Sequence, residues 1–250
     1  MASQTFMKVL SNKELIKDVF EMVVEGDTSA ITTPGQFVNL KLNKYQEPYL
    51  RRPMSICDYD DHTLTMIYKV VGTGTKLLSE IRPGHKIDML TGLGHGFVYQ
   101  NEKSALLIGG GLGLPPLYKL AKELLKKDVD VKLVVGFASK KDAFYLDEFK
   151  ELCPVFVATM DGTLGTKGTV IDAIKENNLS YEHYYACGPL PMLKALAKFD
   201  DQHGSLSYEA RMGCGFGACM GCSMEMKDGS SKRVCYEGPV FASSEVKIDG

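Results

Sequence analysis

No run of about 18 apolar residues occurs in this sequence, so nothing in it is expected to cross a bilayer as a helix. Nor is there an excess of either charge: the formal net charge is −2. That excludes a broad basic field for nucleic acid or an anionic membrane. The first ten residues place Lys8 inside a short apolar stretch and lack the apolar core of an export signal. The chain is therefore expected to be soluble and cytoplasmic. Internal repeats and low-complexity linkers are missing as well, so its modules should pack directly against one another. The five histidines (His62, His85, His95, His183 and His203) are scattered, as surface or satisfied histidines usually are.

What is present is ordinary globular material, 44% hydrophobic and 24% charged. Its 250 residues exceed the usual ~100–150-residue domain, so more than one is expected. The grammar changes twice. Residues 1–100 read as strands: Val38, Leu40 and Leu42 alternate with Asn39 and Lys41, as in a half-buried strand. Residues 64–71 are rich in Thr, Ile, Tyr and Val, and Gly/Pro turns separate the runs. A small antiparallel barrel or sandwich follows. Residues 101–205 alternate strand and helix. Strands are expected at 105–108, 131–135, 155–159 and 184–186, and helices at 115–127, 142–152, 169–177 and 191–199. In the first helix Leu117, Leu120, Ala121, Leu124 and Leu125 recur at helical spacing. This is the pattern of a doubly wound parallel sheet. Residues 206–250 form a module rich in cysteine and glycine.

Seven cysteines are an odd count, which does not suit a secreted disulfide framework. Cys214, Cys219, Cys222 and Cys235 spell C-x4-C-x2-C with a fourth cysteine after twelve intervening residues, the plant-ferredoxin spacing for a 2Fe–2S cluster. Gly213, Gly215, Gly217 and Gly221 give the loop freedom to wrap four thiolates around it. A structural zinc site is the competing reading, although only Cys219 and Cys222 form a zinc-type hook. Inert buried thiols are the third.

Residues 109–116 read GGGLGLPP between the buried strand and the first helix. Such a turn lets backbone amides approach a pyrophosphate at a helix N-terminus, and Gly110, Gly111 and Gly113 are the candidates. A tight turn without a ligand is the alternative. The run departs from G-x-G-x-x-G, since position 116 is proline. Around residues 137–141, after the second strand, no acid stands where a ribose carboxylate is usual. Cys187, Gly188 and Pro189 end a later strand at the edge where open α/β sheets bind ligands. Taken alone, Cys187 reads as a small buried thiol.

Residues 51–56 read RRPMSI in the strand-rich stretch. A guanidinium offers fixed donors to phosphate, and a nearby hydroxyl can bond a polar ring edge. An arginine pair alone is usually just solvated, but the order of the parts adds weight. R-x-x-S in a barrel, then GGGxGxPP, then CGP resembles the ferredoxin reductase superfamily, whose barrel binds flavin. Residues 209–219, EARMGCGFGAC, narrow this further. From about residue 5 to 245 the chain resembles the electron-transfer subunits of type B dihydroorotate dehydrogenase. The motifs that carry the likeness are RRPxSI, the GT of Gly74 and Thr75, GGGxGxPP, CGPxPMLKAL, RMGCGxGAC and a distal VC-x-x-GPVF.

The resemblance implies three units: an antiparallel flavin-binding β-barrel (1–100), a doubly wound α/β NAD-binding domain (101–205) and a small iron–sulfur module (206–250). Arg52, Pro53, Met54 and Ser55 would line FAD, with Ser55 near the reactive ring nitrogen. Tyr68, Lys69 and Val70 would pass along the flavin, and Gly74 and Thr75 would present amides to its pyrophosphate. Lys69 stands where the family often has arginine, a departure that bears on any bidentate phosphate contact. Gly110, Gly111, Gly113, Cys187, Gly188 and Pro189 would contact the nucleotide, NAD by family. Cys214, Cys219, Cys222 and Cys235 would hold the 2Fe–2S cluster.

No residue here is a credible general base for dihydroorotate. That chemistry, implied on a (β/α)8 barrel of roughly 250 residues, falls to a separate FMN-bearing catalytic subunit, in a heterotetramer with two of each. Electrons would run from that partner through the cluster and FAD to NAD+, in pyrimidine biosynthesis. Met212, Phe216 and residues 238–241 would form an apolar contact surface, or else local core. A small subunit of a sulfide dehydrogenase, hydrogenase or ferredoxin:NADP transhydrogenase shares these modules and is the nearest alternative. A zinc-bearing scaffold and a self-contained NADH:acceptor reductase are the others.

Overall fold

The computed structural model describes residues 2–42 and 48–247; the outermost ends of the first and third predicted stretches lie outside them. The N-terminal part holds seven strands and one short helix: β1 (Ser3–Ile16), β2 (Val19–Glu25), β3 (Phe37–Lys41), β4 (Arg52–Ser55), β5 (Asp58–Tyr59), β6 (Thr63–Lys69), α1 (Thr73–Ser79) and β7 (Lys86–Leu93). They pair antiparallel in the order β4-β3-β7-β1-β2-β6-β5, and β4 comes back against β6 to curl the sheet. Register shifts at Val9/Ser11 and Glu14/Ile16 let the long β1 coil around this barrel. Met7, Val9, Met22, Val24, Val38, Leu40, Leu64, Met66 and Met89 fill its interior.

The second part comprises β8 (Ser104–Gly110), α2 (Pro116–Leu125), β9 (Asp130–Phe137), α3 (Leu146–Lys150), β10 (Val155–Thr159), β11 (Thr166–Lys167), α4 (Val170–Glu176), β12 (His183–Cys187), α5 (Leu190–Phe199) and β13 (Gly204–Ser207). The sheet order is β11-β10-β9-β8-β12-β13, all parallel. Alternate residues of β8 face opposite layers. Ala105 and Leu107 pack with Leu117, Leu120 and Leu124 of α2, while Leu106 and Ile108 pack with α4 and α5. Burial on both faces accounts for the unbroken apolar run in β8.

The predicted helix at 142–152 is corrected. Only Leu146–Lys150 is α-helical, and Tyr145 before it takes φ 60°. Its left-handed backbone breaks the helix, and its ring packs edge-on against Tyr118 at 5.3 Å.

The last part forms a hairpin, β14 (Ser223–Glu225) with β15 (Ser231–Arg233), and then β16 (Val240–Ala242). β16 joins the edge of β13 antiparallel, so the C-terminal module completes the second sheet. Cys222, Val234 and Cys235 share one core with Leu193 and Leu206 of the α/β part and with Phe37 and Leu93 of the barrel. Direct packing of the modules, as expected from the missing linkers, is what the structure has.

Candidate functional site

The four clustered thiols fall into two pairs. Cys214 contacts Cys219 through its amide and the Cys219 sulfur, and Cys235 contacts Cys222 in the same way. Among the described residues no three ligand-type side chains converge on one point. A tetrahedral zinc needs four donors about a single centre, whereas two irons divide four thiolates between them. The paired layout fits the latter.

Backbone amides serve the sulfurs. Ala218 N–H donates to Cys214 Sγ at 3.2 Å, Cys214 N–H to Cys219 Sγ at 3.4 Å, and Cys235 N–H to Cys222 Sγ at 3.4 Å. Burial works to raise the Cys214 thiol, but the Phe216, Cys219 and Ala218 amides outweigh it and bring it to about 6. Burial and the neighbouring Cys222 push Cys235 up to about 12. Two left-handed glycines make the wrap, Gly215 at φ 78° and Gly217 at φ 93°. Arg233, not anticipated from sequence, braces the loop. It donates to the Gly217 carbonyl, pairs with Glu237 (Nε to Oε2 3.0 Å) and lies 4.5 Å above the Tyr236 ring.

The two arginines at 51 and 52 have different fates. Arg51 turns into the barrel wall, with Nη2 2.9 Å from Asp88 Oδ1 and Nη1 donating to the Asp88 carbonyl at 3.1 Å. Arg52 lies along α1, its Nη1 donating to Leu50 O at 2.5 Å. A Cβ on Gly74 would run into Arg52 Nε. Beside it, the first-turn amides of Thr73, Gly74 and Thr75 precede the first helical bond, Lys76 N–H to Gly72 O. Thr75 Oγ1 accepts from Val71 N at 2.8 Å and Gly72 N at 3.2 Å, fixing the turn. A guanidinium beside a helix N-terminus suits a pyrophosphate. Pro53 and Met54 are half-buried on β4, and Ser55 is exposed at its end. The side chain of Tyr68 belongs to the barrel core: its ring stacks on Phe20 at 5.8 Å and its hydroxyl donates to Asn12 at 2.8 Å. Lys69 is exposed, and Val70 N–H donates to Asp18 O at 2.8 Å.

A cleft of about 1140 Å³ opens at the carboxyl ends of β8, β9 and β10, between the α/β part and the barrel residues Lys17, Val19 and Lys69. Gly110, Gly111 and Pro189 line it. Gly111, at φ 52°, faces open space, while Gly113 packs so closely that a Cβ would collide with the Cys187 carbonyl. Gly188 lies against Gly110, 3.1 Å from where its Cβ would be. The glycine turn and the Cys187–Pro189 turn thus meet on neighbouring strands. The Cys187 residue is half-buried, and desolvation of its thiol pushes it up to about 12, despite a hydrogen bond with Ser207.

An acid absent from the end of the second strand is supplied five residues beyond it. Asp142 sits in a 3-10 turn on the cleft wall and accepts from Ser139 Oγ at 2.7 Å. The residues that could form an apolar surface or local core divide: Phe241 is core and Met212 packs against it, whereas Phe216, with Met220 and Tyr236, is about half exposed around the cysteine loop.

One barrel residue reaches the loop. Asn39, expected on a solvated face, is 1% exposed because the iron–sulfur module covers that face of β3. Its Nδ2 donates to the Cys214 carbonyl at 3.2 Å.

No helix among the described residues is long and apolar enough to cross a membrane. Two family models match the chain. Residues 107–198 fit an oxidoreductase NAD-binding domain, and residues 209–247 fit the iron–sulfur cluster binding domain of dihydroorotate dehydrogenase B. A solved NADH-dependent reduced ferredoxin-NADP oxidoreductase superposes with a TM-score of 0.87 at 30% identity, covering 98% of this chain and 90% of that one. A ferredoxin NADP+ reductase from Neisseria gonorrhoeae shares the fold at 19% identity (TM-score 0.68, 83% of this chain and 94% of that one). Relatives named "Dihydroorotate dehydrogenase B (NAD(+)), electron transfer subunit" are 46% identical in a Geobacillus species (99% of this chain, 100% of the relative) and 44% identical in Fusobacterium nucleatum (96% and 97%). By full-length identity and by its iron–sulfur module, the chain belongs to the electron-transfer subunits of NAD-dependent dihydroorotate dehydrogenase B.

Proposed function

We propose that this chain carries electrons from an FMN-bearing subunit that oxidises dihydroorotate, by way of a 2Fe–2S cluster and FAD, to NAD+, in the cytoplasm and in an assembly with two of each subunit. The observation that carries this reading is that one barrel takes part in all three sites. The paired cysteines lie on the barrel face behind β3, the Arg52–Gly74 cradle lies on β4 and α1, and the nucleotide cleft is walled by both barrel and α/β part. When bound, the flavin supplies exchange between hydride and single electrons, and the cluster supplies one-electron passage.

The chain's own residues bind, orient and shield. Arg52 and the first-turn amides of α1 hold the FAD pyrophosphate, while Pro53, Met54 and Ser55 run beside the ring, with Ser55 presenting its hydroxyl to it. Tyr68, Lys69 and Val70 follow the flavin by their backbone, Lys69 reaching the cleft. Gly110, Gly111, Gly188 and Pro189 admit the nicotinamide nucleotide, and Gly113 and Cys187 set the shape of that turn. Asp142 accepts from ribose hydroxyls, which favours NAD over its 2′-phosphate counterpart. Cys214, Cys219, Cys222 and Cys235 would hold the cluster between them. Phe216, Met220 and Tyr236 face the partner subunit. Four thiolates kept for a cluster, and three further cysteines outside any disulfide, suit a reducing compartment.

The test is a visible spectrum of the anaerobically purified protein, with its partner, before and after NADH. Flavin and iron–sulfur absorption that both bleach, followed by the same response to dihydroorotate, is the expected result. A colourless protein holding one zinc, refractory to cofactor reconstitution, would sink the reading.

A further inference from the structure

Asn39 occupies a place where strand packing favours an apolar side chain. Val38 and Leu40 fill the barrel core on one face of β3, and Phe37 fills the core beneath the iron–sulfur module on the other. Asn39 is buried beside Phe37, its Nδ2 donating to Cys214 O and its buried Oδ1 meeting no hydrogen-bond donor among the described residues. The carbonyl acceptor fixes which way the amide points. An unpaired buried acceptor weakens a fold, so stability alone favours leucine or valine here. What the asparagine adds is its donor.

We infer that Asn39 is a positioning residue for the electron path: it seats the Cys214 peptide against the flavin-bearing strand pair and tunes the cluster held by that loop. The inference rests on the FAD and 2Fe–2S reading above. Two contacts of one side-chain nitrogen lock the seat. Nδ2 holds the Cys214 carbonyl, and Gly215 at φ 78° lies so close that a Cβ would collide with the same nitrogen. Across the ladder Asn39 pairs with Pro53, so one residue joins the ligand loop to the strand carrying Arg52 and Ser55. A trans peptide points its C=O and N–H in opposite directions. Holding the Cys214 carbonyl towards the barrel therefore turns the Gly215 N–H away from it, to the loop side. The amino end of the side-chain dipole also faces the loop, which favours the extra negative charge of a reduced cluster.

Asn39→Leu and Asn39→Val remove the donor and the orphaned acceptor together, and their sizes bracket the site. Each full-length variant, with the wild type, is purified anaerobically and assayed for FAD and iron. Thermal melting, the EPR spectrum of the reduced cluster and the midpoint potentials of both cofactors complete the set. The expected result is unchanged FAD content and flavin potential, melting equal or higher, and shifted cluster g values. The reduced-to-oxidised ratio of the cluster at fixed potential should fall about tenfold, equivalent to about 59 mV for a one-electron couple. Loss of iron with FAD retained supports the same seat. Unchanged g values and cluster potential overturn the proposal. Lower melting with both cofactors lost overturns it in favour of a purely structural asparagine. A wild type without any 2Fe–2S signal fails at an earlier point, on the cofactor reading itself, and the inference goes with it.

Discussion

Arg52 lies flat against Gly74, so close that the glycine has no room for a side chain. The guanidinium and the first turn of α1 are one structural unit, built from two segments, with Arg52 and Gly74 22 residues apart in sequence. Arg52→Ala removes charge-assisted hydrogen bonds worth about 1.5–3 kcal/mol. FAD affinity should fall about 10- to 100-fold, measured by fluorescence titration of the apoprotein. Gly74→Val, which displaces Arg52 without touching its charge, should weaken FAD in the same direction.

Arg51 should behave oppositely. Its side chain and that of Asp88 are mostly buried, at 19% and 14% exposure, and their ion pair is 2.9 Å long. Arg51→Gln is expected to cost about 1–3 kcal/mol of stability, the range for a broken hydrogen-bonded charge pair. A chain of this size then melts roughly 2–4 °C lower per kcal/mol. FAD content per folded molecule should not change.

Asp142 gives a coenzyme prediction. Asp142→Ser removes the carboxylate from the cleft wall beside Lys141. NADH should lose about 10-fold in kcat/KM, and NADPH should gain, as a repelling charge leaves the 2′-phosphate region. Steady-state dye reduction with both coenzymes reads the ratio; an unchanged ratio would place the ribose elsewhere.

The Arg233–Glu237 brace predicts a pH effect. Hydrogen bonds from Arg233 hold the Glu237 carboxyl down to about 2, against an ordinary value of about 4.3. A depressed carboxylate stabilises fully above its unfolded value and loses that stabilisation as pH falls through its folded one. Wild type should therefore melt higher than Glu237→Gln by a constant margin above pH ~4.5, and the margin should close towards pH ~2. Melting curves across that range check the sign.

Most of the α/β part was legible because its strands are buried on both faces and its helices keep a clean period. Leu117, Leu120, Ala121 and Leu124 are all buried as their spacing foretold. The 14-residue β1 carries little signal, since it alternates exposed and half-buried positions along much of its length. Tyr145 broke a predicted helix through a backbone conformation that its side chain does not announce. The cysteine ligands and the glycine turn could be found from spacing because each depends on local chain geometry. Asn39 could not, for its role arises from a contact between distant segments; Arg233 and Asp142 could not, because no motif spacing marks a loop brace or an acid on a cleft wall. Asn39 looked solvated because alternation within a strand says nothing about what later covers its polar face.

The antiparallel joining of β16 to β13 ties both ends of the cysteine module into the α/β sheet. Such a module has no hinge on which to swing, unlike a carrier domain on a tether that shuttles between two docking stations. Each turnover should then proceed without a search step, and thickening the solvent with sucrose should slow partner association while leaving transfer inside the assembled complex untouched.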